Sequence, residues 1–282
     1  MEQKIIDLFD RYTHGGMNRR DFLERLTLLA GSTAAATALL PALENNYAQA
    51  EVVPENDPDI VAETAEIAPG IKGYLVRPKA AGTYPVVLVI HENRGLNPHI
   101  KDVTRRMAKE GFIAFGADYL TPLGGTPADE EKAREMFKEL KPEEVVAFSR
   151  GAAAALAKID GGNGKVGAVG FCWGGGAVNA LAVTGDPNLK AGVAYYGMQP
   201  KDGVANIAAP LMLHYASLDE RINAGIKDYE AALKADGKAF ELFVYDGVNH
   251  AFNNDTNAAR YNKAAADTAW GRTIGFFKKY LG

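Results

Sequence analysis

The chain has 282 residues, of which 47% are hydrophobic and 23% charged, a composition that is ordinary for a folded protein with a large core. Its formal net charge of −4 gives no basic surface that would argue for nucleic-acid binding. The only cysteine, Cys172, excludes an intramolecular disulfide and a multi-cysteine zinc site.

Residues 1–50 have the layout of a bacterial twin-arginine export signal with an amino-terminal extension. The paired arginines Arg19 and Arg20 precede a modest apolar stretch, residues 26–43, and a small-x-small cleavage site follows at residues 48–50. Glycine, polar residues and a proline interrupt the apolar stretch, so we expect no stable membrane span. The pattern predicts recognition by the twin-arginine export machinery and a periplasmic or secreted protein.

Other interpretations of this segment stay open. It can be an amphipathic amino-terminal helix of a cytoplasmic protein. The residues before Met17 are either a lead-in to the signal or lie upstream of the true translation start. Whether the signal is removed is not decided by the sequence.

Residues 51–60 are polar and predict a linker, and residues 61–282 predict one α/β domain. Predicted strands and helices alternate along this range, and most strands are short apolar runs, as in a parallel sheet with helices on both faces. The predicted strands are 61–67, 71–78, 85–91, 112–118, 165–171, 191–197, 209–216 and 239–246. The predicted helices are 97–111, 127–140, 142–158, 175–183, 222–236 and 257–280.

Cys172 lies between a predicted strand and a predicted helix, in a pattern typical of a nucleophile. The stretch Gly170-Phe171-Cys172-Trp173-Gly174 fits the elbow G-x-nucleophile-x-G, in which the nucleophile adopts a strained backbone conformation. Glycines at both ends let strand and helix approach without a Cβ clash. The amino terminus of the helix favours a thiolate. A buried structural cysteine is the alternative.

A thiol nucleophile needs a base, and His250 is the best candidate. It lies in a loop between the last predicted strand and the terminal helix, where an α/β-hydrolase places its base. His14 lies in the predicted export signal, and His99 lies on a predicted helix surface. His214 lies inside an apolar strand, and His91 ends a strand as a candidate pocket wall.

The base needs an acid that orients it, and Asp219 is the candidate. It follows a predicted strand and lies between Cys172 and His250 in sequence, which gives the order nucleophile, acid, base of α/β-hydrolases. A helix-capping role for Asp219 and an acid role for Asp246 are the alternatives.

These motifs resemble the dienelactone hydrolases, or carboxymethylenebutenolidases, over roughly residues 60–282. The resemblance is carried by "GFCWGG", "HENRGLNPHIKDVTRRMAKEGF", the loop of Asp219, and "VNHAF" followed by "AWGRTIGFFKKYL". It implies an α/β-hydrolase fold and a catalytic triad of Cys172, Asp219 and His250. It also implies that Glu92 contacts the resting thiol and helps to form the thiolate when substrate binds.

The predicted reaction is hydrolysis of a carboxylic ester or lactone through a thioester on Cys172. The backbone N–H groups of Asn93 and Trp173 would hold the oxyanion, and His250 would activate the water that releases the acyl group. This chemistry requires no metal or organic cofactor.

The resemblance also bears on the substrate. Family members are expected to bind a carboxylate with two arginines, and the matching positions here are Asn254 and a position near Thr121. We therefore expect a neutral ester or lactone, unless Arg94 supplies the missing charge instead of pairing with Glu92. The candidate pocket residues are Arg94, His91, Tyr119 and Asn254.

Three other functions are compatible with parts of the pattern. A thioesterase or peptidase on the same fold would use the same triad, because substrate choice depends on pocket loops. A redox-reactive thiol protein would lack a second cysteine to resolve a sulfenic acid. A non-catalytic binding protein would leave the triad unexplained.

Overall fold

The computed structural model describes residues 1–47 and 50–282. One eight-stranded sheet forms its centre, in the order β1-β2-β4-β3-β5-β6-β7-β8. Its strands are β1 (Ile60–Ala68), β2 (Ile71–Pro78), β3 (Tyr84–Ile90), β4 (Ile113–Ala117), β5 (Gly162–Phe171), β6 (Leu189–Tyr195), β7 (Leu211–Ala216) and β8 (Phe240–Tyr245). β2 pairs antiparallel with β1 and with β4, and all other pairs are parallel.

Helices cover both faces of the sheet. The central strand β3 shows why: Val86, Leu88 and Ile90 enter one hydrophobic core, whereas Val87 and Val89 enter the other. The helices are α1 (Gln3–Thr13), α2 (Arg19–Ala30), α3 (Thr33–Leu43), α4 (Pro98–Lys109), α5 (Glu130–Met136), α6 (Pro142–Leu156), α7 (Trp173–Ala182), α8 (Glu220–Asn223), α9 (Ile226–Ala235) and α10 (Lys263–Leu281). The α/β-hydrolase architecture predicted from the sequence is confirmed.

Two predicted helices differ from those observed. The range 222–236 divides into α8 and α9, with Gly225 between them at the start of α9. The terminal helix begins at Lys263 rather than at residue 257, because the Asn262 side chain caps it by accepting a hydrogen bond from the Ala265 N–H at 3.0 Å.

The amino-terminal segment folds against the α/β domain. Asn18 and Ser32 cap α2 and α3, and Gly31 turns the chain between them with φ at +80°. No single helix among the described residues is long and apolar enough to cross a membrane; α2 and α3 pass that test only as a pair bent by 113°. Residues 48 and 49 of the predicted cleavage site lie outside the described residues.

Part of the predicted linker, residues 51–60, is tied to α4. The N–H groups of Val52 and Val53 donate to Asp102 Oδ1 at 3.2 and 2.8 Å, and Arg105 donates from Nε to the Val53 carbonyl at 2.5 Å. The side chain of Val53 is buried. Val52 and Val53 therefore have a defined position against α4.

Candidate active site

The polar groups of the site follow parallel strands at the edge where these strands end. Glu92 follows β3, Cys172 follows β5, Asp219 follows β7 and His250 follows β8. In an open α/β sheet, ligands bind outside this carboxyl edge. The topology thus brings residues from four separate parts of the chain together.

Cys172 occupies a strained turn between β5 and α7. Its φ of 55° and ψ of −113° are unusual for a residue with a side chain, and it is one of three non-glycine residues with positive φ within the two described ranges. A Cβ at Gly170 would overlap the carbonyl of Gly174, and a Cβ at Gly174 would overlap the carbonyl of Ile90. Both glycines are therefore required for this turn.

His250 is oriented by Asp219. Its Nδ1 lies 2.5 Å from Asp219 Oδ2, both side chains are buried, and Asp219 Oδ1 also accepts from the Ile222 N–H at 3.2 Å. The alternative acid, Asp246, is exposed and lies near Ser217. Asp219 thus hydrogen-bonds the ring of His250 and also caps α8.

The electrostatic surroundings of His250 favour its charged form. Burial alone would lower its pKa, but the carboxylate of Asp219, the sulfur of Cys172 and the carboxylate of Asp10 outweigh burial and raise the pKa to about 9. The same pairing lowers the pKa of Asp219 against the effect of burial. His250 Nε2 is buried and has no hydrogen-bond partner within residues 1–47 and 50–282.

The hydrogen-bond partner of the thiol is His14, from the end of α1. Its Nε2 lies 3.3 Å from Cys172 Sγ, and its ring meets that of His250 edge-on with centroids 4.7 Å apart. The sulfur and one ring nitrogen of each histidine lie within 4.8 Å of one another. These three groups are of the types that bind zinc, and they are also the groups that nucleophilic catalysis requires.

The sequence predicts His14 as part of the export signal, and its position beside Cys172 was not predicted. Two signals were available in α1. Asp10 and His14 have the i, i+4 spacing that places both on one helix face, and residues 5, 6, 8, 9 and 12 form a buried apolar stripe on α1. An amphipathic helix with two acidic residues is also unlike the positively charged start of an export signal.

Glu92 lines the same small pocket as Cys172, but no hydrogen bond joins it to the thiol among the described residues. Its Oε2 accepts a hydrogen bond from Asn254 Nδ2 at 2.9 Å, while Oε1 is buried and has no partner in that part of the chain. Asn254 Oδ1 in turn accepts from the N–H and hydroxyl of Thr256. Asn254, a predicted pocket residue, therefore positions Glu92 and does not line the cavity at Cys172 that is described below.

The two predicted oxyanion donors flank Cys172. Trp173 is the first residue of α7, so its N–H has no acceptor within the helix. Asn93 lines the same cavity, and its side-chain Nδ2 donates to the Thr13 carbonyl at 2.8 Å. The contact between Asn93 and Thr13 joins the loop after β3 to the end of α1.

A cavity of about 1020 Å³ opens at Cys172, and most of its surface is apolar. Its apolar residues are Tyr12, Met17, Phe137, Leu140, Pro142, Val145, Val146, Trp173, Ala177, Ala180, Tyr196, Met198, Pro200 and Ile222. His91 and Tyr119 are packed behind this wall: His91 stacks on Trp173, and the hydroxyl of Tyr119 bonds Ser149 at 2.7 Å.

Arg94 pairs with a different carboxylate from the one predicted. Its Nε lies 3.0 Å from Glu130 Oε2, and no ion pair joins it to Glu92 in the described part of the chain. Burial raises the pKa of Glu130 to about 7, so this pair is fully charged only above that pH. Two other basic residues, Lys138 and Arg134, line the cavity at Cys172. Lys138 pairs with Glu135, and Arg134 pairs with Glu131.

Comparison with known proteins gives one family for most of the chain. The family model described as "Dienelactone hydrolase family" matches residues 71–281, and a second model, described as "YqhI-like", matches residues 1–31. A Methylorubrum extorquens protein named "Putative carboxymethylenebutenolidase" is 31% identical over 276 residues, which is 92% of this chain and 94% of that protein.

Two further relatives agree with this match. An Escherichia coli O157:H7 protein of the same name is 33% identical over 226 residues, 74% of this chain and 82% of its own. A crystal structure titled "Putative Dienelactone Hydrolase", from Klebsiella pneumoniae, superimposes with a TM-score of 0.69 at 31% identity, covering 78% of this chain and 99% of that one.

Proposed function

The chain belongs to the dienelactone hydrolase family and is an ester or lactone hydrolase, and on that premise we propose that Cys172 is its covalent nucleophile. The observation that carries the proposal is the strained backbone of Cys172 at the elbow between β5 and α7. Such strain at the carboxyl edge of the sheet is typical of a site that presents a nucleophile to substrate.

In the proposed acylation step, the Cys172 sulfur attacks the carbonyl carbon of an ester or lactone. The N–H groups of Trp173 and Asn93 stabilise the negative charge that develops on the carbonyl oxygen. Expulsion of the alcohol leaves a thioester on Cys172.

In the proposed deacylation step, His250 takes a proton from water and the hydroxide attacks the thioester. A charged imidazole cannot accept a proton, so His250 first releases its own proton to solvent. Asp219 keeps the ring oriented with Nε2 toward the cavity.

We further propose that the acyl group is neutral and largely apolar. The cavity at Cys172 is mainly apolar, Asn254 is engaged with Glu92, and Arg94 is paired with Glu130. A charge-assisted hydrogen bond contributes about 1.5–3 kcal/mol, so the absence of two arginine contacts would weaken carboxylate binding by about 10²-fold or more.

Hydrolysis of a matched substrate panel tests both proposals. The panel contains a lactone with a free carboxylate, its methyl ester, an aryl ester and a thioester, assayed at pH 8, where Glu130 is ionised. The expected result is a higher kcat/KM for the neutral members and loss of all activity in Cys172→Ala. Wild-type turnover in Cys172→Ala would refute the nucleophile, and preference for the free acid that is lost in Arg94→Ala would refute the neutral substrate. Turnover of the thioester alone would favour a thioesterase.

We also propose that the chain is exported in its folded state through the twin-arginine pathway. The paired arginines support this, because Arg19 and Arg20 are both exposed at the start of α2 while α1, α2 and α3 lie packed together. A folded chain could therefore present these arginines to the export machinery. The corresponding location is the periplasm or the exterior; a cytoplasmic location is the alternative.

A further inference from the structure

We propose that His14 is a catalytic residue that accepts the thiol proton of Cys172, an inference that rests on Cys172 being the nucleophile. Its Nε2 lies 3.3 Å from the sulfur, within hydrogen-bond range for a thiol donor. His250 Nε2, by contrast, has no hydrogen-bond partner among the described residues. The resting thiol is therefore hydrogen-bonded to His14, at the carboxyl end of α1, and not to His250.

The surroundings of His14 fix its ring in the tautomer that a base needs. Its Nδ1 lies 2.8 Å from the Asp10 carbonyl oxygen and 3.2 Å from Asp10 Oδ1. Both of these oxygens can only accept a hydrogen bond, so Nδ1 carries the hydrogen. In the neutral ring, Nε2 then keeps its lone pair toward the sulfur. Asp10 thus orients His14 mainly through its backbone carbonyl, whereas Asp219 orients His250 through its carboxylate.

The segment that carries His14 is anchored to the α/β domain. Asn93 Nδ2 donates to the Thr13 carbonyl at 2.8 Å, and Arg134 donates to the Tyr12 carbonyl at 3.2 Å with its guanidinium 4.3 Å from the Tyr12 ring centre. The backbone N–H of Ala259 also donates to the Ala42 carbonyl at 3.2 Å. These contacts fix both ends of the amino-terminal helices.

Charged groups from several elements face the pair of His14 and Cys172. Asp10 lies on α1 itself, and its pKa is lowered, against burial, by His250, His14 and Arg260. The others are Glu92 and Arg94 after β3, Arg221 on α8, and His250 and Arg260 after β8. Because the carboxylates of Asp219 and Asp10 favour the charged form of His250, His250 is a poor acceptor for the thiol proton, and His14 is the ring in hydrogen-bond range of the sulfur.

The proposed proton path balances over one turnover. The thiol proton moves to His14 Nε2 as the sulfur attacks the carbonyl carbon, and His14 then gives it to the leaving alkoxide as the C–O bond breaks. Before the second step, His250 releases its proton to solvent. It then takes a proton from the attacking water, the C–S bond breaks, and this proton passes to the sulfur. His250 regains a proton from solvent as the site returns to its resting state. The sum is one ester and one water converted into one acid and one alcohol.

Alkylation of the sole cysteine by iodoacetamide, measured against pH in the full-length chain, tests this role. We expect His14→Asn to slow alkylation at pH 7 by about tenfold or more, because the variant has no base beside the thiol. The acylation rate constant of an aryl ester should fall by about 10²-fold, while the deacylation rate constant changes little. Arg11→Ala, which changes an exposed residue of the same helix, is the matched control and should leave both rates unchanged.

A second variant guards against undocking of the segment. His14→Gln keeps a polar side chain of similar size, and hydrogen exchange at α1 reports whether the segment stays in place. Wild-type alkylation and acylation in both variants would overturn the role of His14. If Cys172→Ala also retained activity, the nucleophile itself would be wrong; if Cys172→Ala were inactive, only the proposal for His14 would fail.

Discussion

Two imidazoles approach one sulfur at the centre of this site, and each is held by its own aspartate. His250 pairs with Asp219 across loops that follow β8 and β7, whereas His14 pairs with Asp10 within one helix turn. The carboxylate of Asp10 also has two cationic neighbours, because Arg221 and Arg260 each lie 3.8 Å from it. The pair of His250 and Asp219 is thus buried, whereas the pair of His14 and Asp10 is partly exposed.

Asp219→Asn tests the electrostatic origin of the charge on His250. The substitution should lower the pKa of His250 from about 9, which an NMR titration of its ring protons would measure. It should also lower kcat by about 10²-fold or more, because an amide can favour the wrong tautomer. Asp246→Asn, at an exposed aspartate, is the control. An unchanged pKa of His250 would contradict the pairing with Asp219.

The same pairing makes stability depend on pH in a defined direction. The pKa of His250 is higher in the folded state than the ordinary value of 6.5, so its contribution to stability is fully present below pH 6.5. That contribution is lost as the pH rises through about 9. Urea unfolding of the wild type from pH 6 to 10 should show this loss, and Asp219→Asn should reduce it.

At the scale of elements, the elbow depends on close approach between β5, α7 and β3. Gly170→Ala places a Cβ against the Gly174 carbonyl, so we expect loss of activity and a destabilisation of at least about 3 kcal/mol. Gly271→Ala is the control, because this exposed position in α10 has nothing within 4 Å, and alanine there should stabilise by about 0.5–1 kcal/mol. Equal stability of the two variants in denaturant would contradict the account of the elbow.

The elements also show where sequence reasoning succeeds and where it stops. The strand before Cys172 and the helix after it were predictable, because apolar periodicity and glycine punctuation are local signals. Local signals place Asp10 and His14 on one face of an amphipathic helix, but the contact between His14 and Cys172 joins positions 158 residues apart and depends on tertiary packing. Likewise, Asn254 could be recognised as a replacement for an expected arginine, but its hydrogen bond to Glu92 depends on tertiary packing.

At the scale of the whole molecule, the amino-terminal helices carry both the proposed base, His14, and the proposed export signal. Their aromatic cluster packs Phe9, Tyr12 and Phe22 together, with Tyr12 and Phe22 stacked at 4.5 Å, and Arg260 lies over Phe9. The same helices carry the exposed arginines of the proposed export signal. Removal of residues 1–50 after export would therefore also remove His14 and one wall of the cavity.

Export is tested with the full-length chain in a bacterial host that has the twin-arginine machinery. The wild type should appear in the periplasmic fraction, and replacing both Arg19 and Arg20 by lysine should keep it in the cytoplasm. The mass of the exported protein shows whether residues 1–50 are retained. Export that is unchanged in the double lysine variant would contradict twin-arginine recognition.

The most direct test of the account is to trap the acyl group during turnover. Wild-type protein is mixed with a neutral aryl ester, quenched with acid within milliseconds, and digested for mass spectrometry. If Cys172 is the nucleophile, one acyl group is expected on the peptide that contains Cys172, and hydroxylamine should release it, as expected for a thioester. An acyl group on another residue, or rapid turnover without any acyl group on Cys172, would contradict it.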